Sequence, residues 1–88
     1  MTKDVQLSTP AQKQFESLDG SIKDRVRKAL RKLADSGSGD IKKLKGVKGR
    51  ETLLRLRVGD YRIAYRDDPE AIRIVQIFHR GKGYDWLE

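Results

Sequence analysis

Residues 55–84 read R-L-R-V-G-D-Y-R-I-A-Y-R-D-D-P-E-A-I-R-I-V-Q-I-F-H-R-G-K-G-Y. Two strand-like stretches recur here, with arginine at every second or third position, and the second ends in His79-Arg80 followed by Tyr84. Gly59-Asp60 reads as a hairpin turn and Asp67-Asp68-Pro69-Glu70 as a second turn. A strand sends alternate side chains to opposite faces. On 51–58, Leu54, Leu56 and Val58 share one face, and Leu53, Arg55 and Arg57 share the other. On 61–66, Tyr61, Ile63 and Tyr65 oppose Arg62, Ala64 and Arg66. The sheet is therefore expected to be apolar on one side and cationic on the other. On 71–79 strict alternation groups Val75, Ile77 and His79 against Ile74, Gln76, Phe78 and Arg80, which sends His79 and Arg80 to opposite faces.

Upstream, 41–50 carries Lys42, Lys43, Lys45, Lys48 and Arg50 with two glycines and no clear period, and reads as a basic loop. Ser36 to Asp40 reads as a flexible break. Before it, Ile22, Val26, Ala29, Leu30 and Leu33 form a helical stripe, with Ser21 as the cap and Lys23, Arg27, Lys28, Arg31 and Lys32 opposite. A shorter helix is expected over 10–18, with Ser8 or Thr9 as N-cap, Pro10 at the first helical position, and Ala11, Phe15 and Leu18 in phase. Residues 4–7 read as a short strand with Val5 and Leu7 on one face. The order is β-α-α-β-β-β in a single domain over 1–88, with an α+β fold whose helix pair packs on one face of an antiparallel sheet. The last strand, being the most apolar, is expected at the centre.

The chain has 88 residues, room for one small core. Its 20 Lys and Arg outnumber 13 Asp and Glu, giving +7. That balance favours a polyanionic partner, nucleic acid before a membrane surface. No apolar run approaches the roughly 20 residues of a membrane span, and the N-terminus lacks the apolar stretch of a signal peptide. Without cysteine there is no disulfide or thiolate metal site, and a single histidine is a poor start for zinc. The expectation is a cytoplasmic domain with no metal and no cofactor. Arginines on a strand are also a common solvated face, a lone histidine at a strand end is commonly structural, and Tyr84 and Trp86 fit an anchored tail.

The stretches L-R-V-G-D-Y-R-I-A-Y-R (Leu56 to Arg66) and F-H-R-G-K-G-Y (Phe78 to Tyr84), with Lys-Leu-Lys-Gly at 43–46, resemble the RelE/ParE superfamily of bacterial and archaeal toxins, the RelE branch in particular. The resemblance covers essentially the whole chain. It implies the toxin of a type II toxin–antitoxin system: a metal-independent endoribonuclease that enters the ribosomal A site, cuts mRNA there and so inhibits translation. It also implies a small acidic antitoxin as partner, and an antitoxin complex that binds operator DNA. Arg62 matches the arginine that contacts the scissile phosphate, Arg80 the arginine that stabilises developing charge, and Tyr84 the C-terminal tyrosine that stacks on or activates the substrate. Arg55 stands where well-studied members carry lysine, and Leu53 where they carry a second one.

RNA supplies its own nucleophile, the 2′-OH. Cutting requires that hydroxyl to lose its proton, the phosphorane charge to be stabilised and the 5′-oxygen to gain a proton. Arg62 and Arg80 suit the charge, each offering planar donors to phosphate oxygens. Arginine does not accept protons at neutral pH, so His79 or Tyr84 is expected to move them. Arg57 and the basic residues of 42–50 are expected to hold RNA. Two other readings share the residues: a ParE-like gyrase inhibitor that cuts nothing, and an RNA-binding domain without activity.

Overall fold

The computed structural model describes residues 3–44 and 53–82. The elements are β1 (Asp4–Leu7), α1 (Thr9–Glu16), α2 (Gly20–Ser36), β2 (Asp40–Lys43), β3 (Leu54–Val58), β4 (Tyr61–Asp67) and β5 (Ala71–His79), then one 3-10 turn at Arg80–Lys82. The strands form one sheet in the order β1-β5-β4-β3-β2. The α+β architecture expected from the sequence is observed, with both helices on one face.

Three details depart from the expectation. Asp40–Lys43 is a strand, not part of a break and a basic loop: it pairs antiparallel with β3, placing Ile41 opposite Leu56. The glycine before it allows the approach, because a Cβ on Gly39 would lie 2.6 Å from Leu56 Cδ1. β1 joins β5 in parallel, so the sheet is mixed and β4, not β5, is its middle strand. The cap of α2 is Asp19, with Ser21 inside the first turn.

The helices form where the spacing puts them. Ser8 caps α1 by accepting from the Ala11 N–H at 3.1 Å. Val26, Leu30, Leu33 and Ala34 of α2 are buried, and Gly37 closes the helix in the left-handed region at φ 70°. The core joins Val26, Leu30, Leu33 and Ala11 to Leu56, Ile63, Tyr65, Ile72, Ile74 and Ile77 of the sheet. A bulge at Val75 lets β5 contribute both Ile74 and Ile77 to this face: Ala64 pairs with Gln76, but Tyr65 pairs with Ile74. Strict alternation therefore fails along β5.

β1 covers β5 only as far as Ile74. Beyond it α1 takes over the exposed edge. The Ser8 hydroxyl donates to the Val75 carbonyl at 2.7 Å, and the Gln14 side-chain oxygen accepts from the Ile77 N–H at 2.7 Å. Backbone groups left at a strand edge are thus satisfied by side chains of the neighbouring helix.

Candidate functional site

The register of the sheet fixes which side chains share the face away from the helices. One cross-strand row is Asp40, Arg57, Arg62 and Phe78; the next is Lys42, Arg55, Ala64 and Gln76; a third places Arg66 opposite Arg73 and Gln6. The face is cationic, as the alternation in β3 and β4 predicts. Asp40 lies 3.8 Å from Arg55 and 3.9 Å from Arg57, a single carboxylate between two guanidinium groups. Pairs at such separations contribute little to stability. The Arg55 side chain is nonetheless 12% exposed, so its stem is packed while its charge stays near the face.

The β3–β4 turn organises one end of this face. Gly59 adopts φ 59°, and a Cβ there would lie 2.8 Å from Arg25 Nη2. Arg62 folds back over the turn, donating through Nη1 to the carbonyls of Gly59 and Tyr61, both at 3.0 Å. The Arg80 N–H donates to the Asp60 carbonyl at 2.8 Å, and its Nε lies 3.7 Å from the Asp60 carboxylate. One tight turn therefore gathers Arg62 and Arg80, which lie far apart in sequence.

His79 is not gathered with them. It stands in register with Tyr61 on the helix side of the sheet, whereas Arg62 stands in register with Phe78 on the other. Its ring meets Tyr61 edge-on at 5.3 Å and accepts at Nδ1 from the Gly81 N–H at 3.2 Å. With Ile22, Arg25, Val58, Asp60 and Tyr61 it lines a separate pocket of about 210 Å³. The expected grouping of His79 with Arg62 is thus corrected by the register.

The basic stretch divides as well. Lys42 faces Arg55 on the arginine face, while Lys43 stands in register with Leu54 on the opposite side. Lys45, Lys48, Arg50 and Tyr84 lie outside the described residues. Sequence reasoning missed the shared role of Asp40, the tie from Asp60 to Arg80, and the Arg66–Arg73 pairing. Only the last had a signal, the arginine parity on the two strands, and the bulge hid it. Among the described residues no group of three or more His, Asp or Glu side chains is arranged to hold a metal ion.

The family model described as ParE toxin of type II toxin-antitoxin system, parDE, matches residues 5–84. The chain is 30% identical over 77 residues to Toxin RelE3 of Methanocaldococcus jannaschii, a match covering 85% of this chain and 88% of that one. It is similar in structure to an archaeal RelE–RelB complex from Pyrococcus horikoshii OT3, with TM-score 0.76 and 28% identity over 94% of this chain and 100% of that one. A RelB–RelE antitoxin–toxin complex from Methanococcus jannaschii matches with TM-score 0.72 and 26% identity, covering 94% of this chain and 99% of that one. The family match runs from within β1 to beyond β5 and takes in both helices, and the chain belongs to the RelE/ParE superfamily of toxins from type II toxin–antitoxin systems.

Proposed function

We propose that this toxin is a ribosome-dependent mRNA endonuclease acting in the A site, with the arginine face as its substrate surface. The observation that carries the proposal is the β3–β4 turn holding both Arg62 and Arg80. In the reaction, the 2′-oxygen attacks the adjacent phosphorus and the bond from phosphorus to the 5′-oxygen breaks. The products are a 2′,3′-cyclic phosphate and a 5′-hydroxyl. One proton leaves the 2′-OH and one reaches the departing 5′-oxygen. Arg62 and Arg80 stabilise charge on the non-bridging oxygens as it develops, and Arg55 and Arg57 hold the neighbouring backbone. His79 faces away from Arg62, so the proposed proton carrier is Tyr84. Lys42 on the face, with Lys43, Lys45, Lys48 and Arg50 beside it in sequence, adds long-range attraction for RNA.

The similar archaeal proteins occur in complexes with RelB. The proposed partner here is likewise a small acidic antitoxin, encoded beside the toxin and acting in the cytoplasm. Its carboxylates would neutralise the arginine face and block RNA from it.

A second reading has an observation in its favour. Among the described residues, the arginine face carries no side chain that titrates near neutral pH, which suits a ParE-like gyrase inhibitor that holds its target without cutting RNA. Purified toxin added to translating ribosomes, with mRNA 5′ ends mapped, separates the two. Codon-phased cuts are expected. Intact mRNA together with inhibited DNA supercoiling by gyrase would establish the second reading instead.

A further inference from the structure

At the end of the arginine face away from the β3–β4 turn, Arg66 on β4 stands directly opposite Arg73 on β5. Arg57 and Arg62 form the same kind of like-charged pair at the near end. Like charges placed directly opposite one another across a sheet repel, and the structure keeps two such pairs on one face. Among the described residues, Asp40 lies beside Arg57, and Asp68 beside Arg73 at 2.5 Å. Arg73 also donates to the Gln6 side chain at 2.7 Å, which fixes its guanidinium in place. A pocket of about 200 Å³ opens there, lined by Gln6, Ser8, Arg66, Arg73 and Val75 among others.

The spacing of the pairs carries the inference. Arg62 and Arg66 are four residues apart on β4, about 13 Å of strand, with each pair of residues spanning about 6.7 Å. That shorter step is roughly the contour of one extended nucleotide. Midway lies Ala64, with Arg55 beside it. Ala64 is fully buried, so a strand following this line would pass above it, over its neighbours on the face. A phosphodiester presents two non-bridging oxygens, so two facing guanidinium groups can each take one.

We propose that Arg66 and Arg73 form a second phosphate subsite, and that single-stranded RNA lies extended along β4 from Arg62 to this pair. The inference rests on the reading of the arginine face as the RNA surface, and it adds a direction and a length. The strand is held through three consecutive phosphates, near Arg62, Arg55 and Arg66–Arg73. An A-form duplex cannot follow this line, because its backbone coils instead of running straight along one strand.

The test uses the purified toxin and 2′-O-methyl RNA oligomers, which lack the nucleophile and remain intact. Fluorescence anisotropy is read against oligomer length and salt. Affinity is expected to rise with each added phosphate through the third, and a duplex of the same length is expected to bind more weakly. The double variant R66Q/R73Q should lose the gain from the third phosphate, and its log–log salt slope should flatten by about 0.7. R66K/R73K should restore the slope by returning the charge, an outcome that a folding defect would not give. An unchanged length profile and slope in R66Q/R73Q would overturn the subsite. So would equal competition by an extended peptide with glutamate at alternate positions. If R62A also leaves binding unchanged, the reading of the whole face fails; if R62A weakens it and R66Q/R73Q does not, only the subsite fails. Cleavage is read separately on ribosomes, so neither result depends on it.

Discussion

Arg80 is the proposed site residue whose role can be tested with least disturbance to the fold. Its side chain is 64% exposed, and it begins a 3-10 turn after the last strand. Truncating it removes little packing. Its charge lies 3.7 Å from Asp60 in solvent, a separation at which an ion pair adds little. Arg80→Ala should therefore leave the thermal midpoint nearly unchanged and lower mRNA cleavage roughly 100- to 1000-fold, the usual effect of losing one donor to developing charge. Cleavage rates on ribosomes and a melting curve on the same preparation check both halves. Full activity at an unchanged midpoint would remove Arg80 from the mechanism. The arginines of β3 and β4 were legible in the sequence because a two-residue period needs no tertiary information. The side taken by His79 was not, because it depends on a bulge four residues earlier.

That bulge belongs to the scale of elements, where short sequences carry least information. Ile72, Ile74, Val75 and Ile77 offer apolar residues at both parities, so the sequence marks a buried strand without marking where its phase shifts. β2 was hidden for a related reason. Its four residues are all exposed, and its pairing is decided by β3, which follows at a distance in the chain. The helices were legible because each carries its own stripe and terminators. Ser8 is the element-scale residue with most to lose. One hydroxyl accepts from the Ala11 N–H to start α1 and donates to the Val75 carbonyl to close the edge of β5. Ser8→Ala should cost about 2 kcal/mol, combining a lost cap with an unsatisfied carbonyl. The denaturant midpoint should fall at unchanged slope, and Ser8→Thr should recover most of the loss. A midpoint equal to that of the parent would show that water replaces both bonds.

At the scale of the whole molecule, Tyr65 of β4 is the largest fully buried side chain among the described residues, with 1% exposure. Burial, and secondarily the charge of Asp67, raises its phenol from 10.0 to about 12. The raised value means that the fold favours the neutral phenol. Its contribution to stability is complete below pH 10 and is lost as pH rises through 12. Denaturant midpoints should therefore decline across that window, and Tyr65→Phe should flatten the decline because no proton remains to be lost. An identical decline in the variant would assign the alkaline transition to other groups.

The parallel pairing of β1 with β5 also sets an order on synthesis. Residues 4–7 are made first, yet their sheet partners are residues 71–74. Closing that loop precedes any reward from the contacts, which places the step among the slow, non-local events of folding. Ile72, Ile74 and Ile77 belong to the same core as Val26 and Leu30, so a nascent chain stopped before β5 has no completed interior. The same is true of the arginine face, since Arg73 arrives with the last strand. A chain ending at Asp68 should show weak amide protection in α2, while the full chain protects it strongly; hydrogen exchange on the two distinguishes them, and equal protection would mean that the helices fold alone. On the proposed reading of that face as the RNA surface, a growing polypeptide therefore has no finished surface with which to engage RNA until β5 has been made.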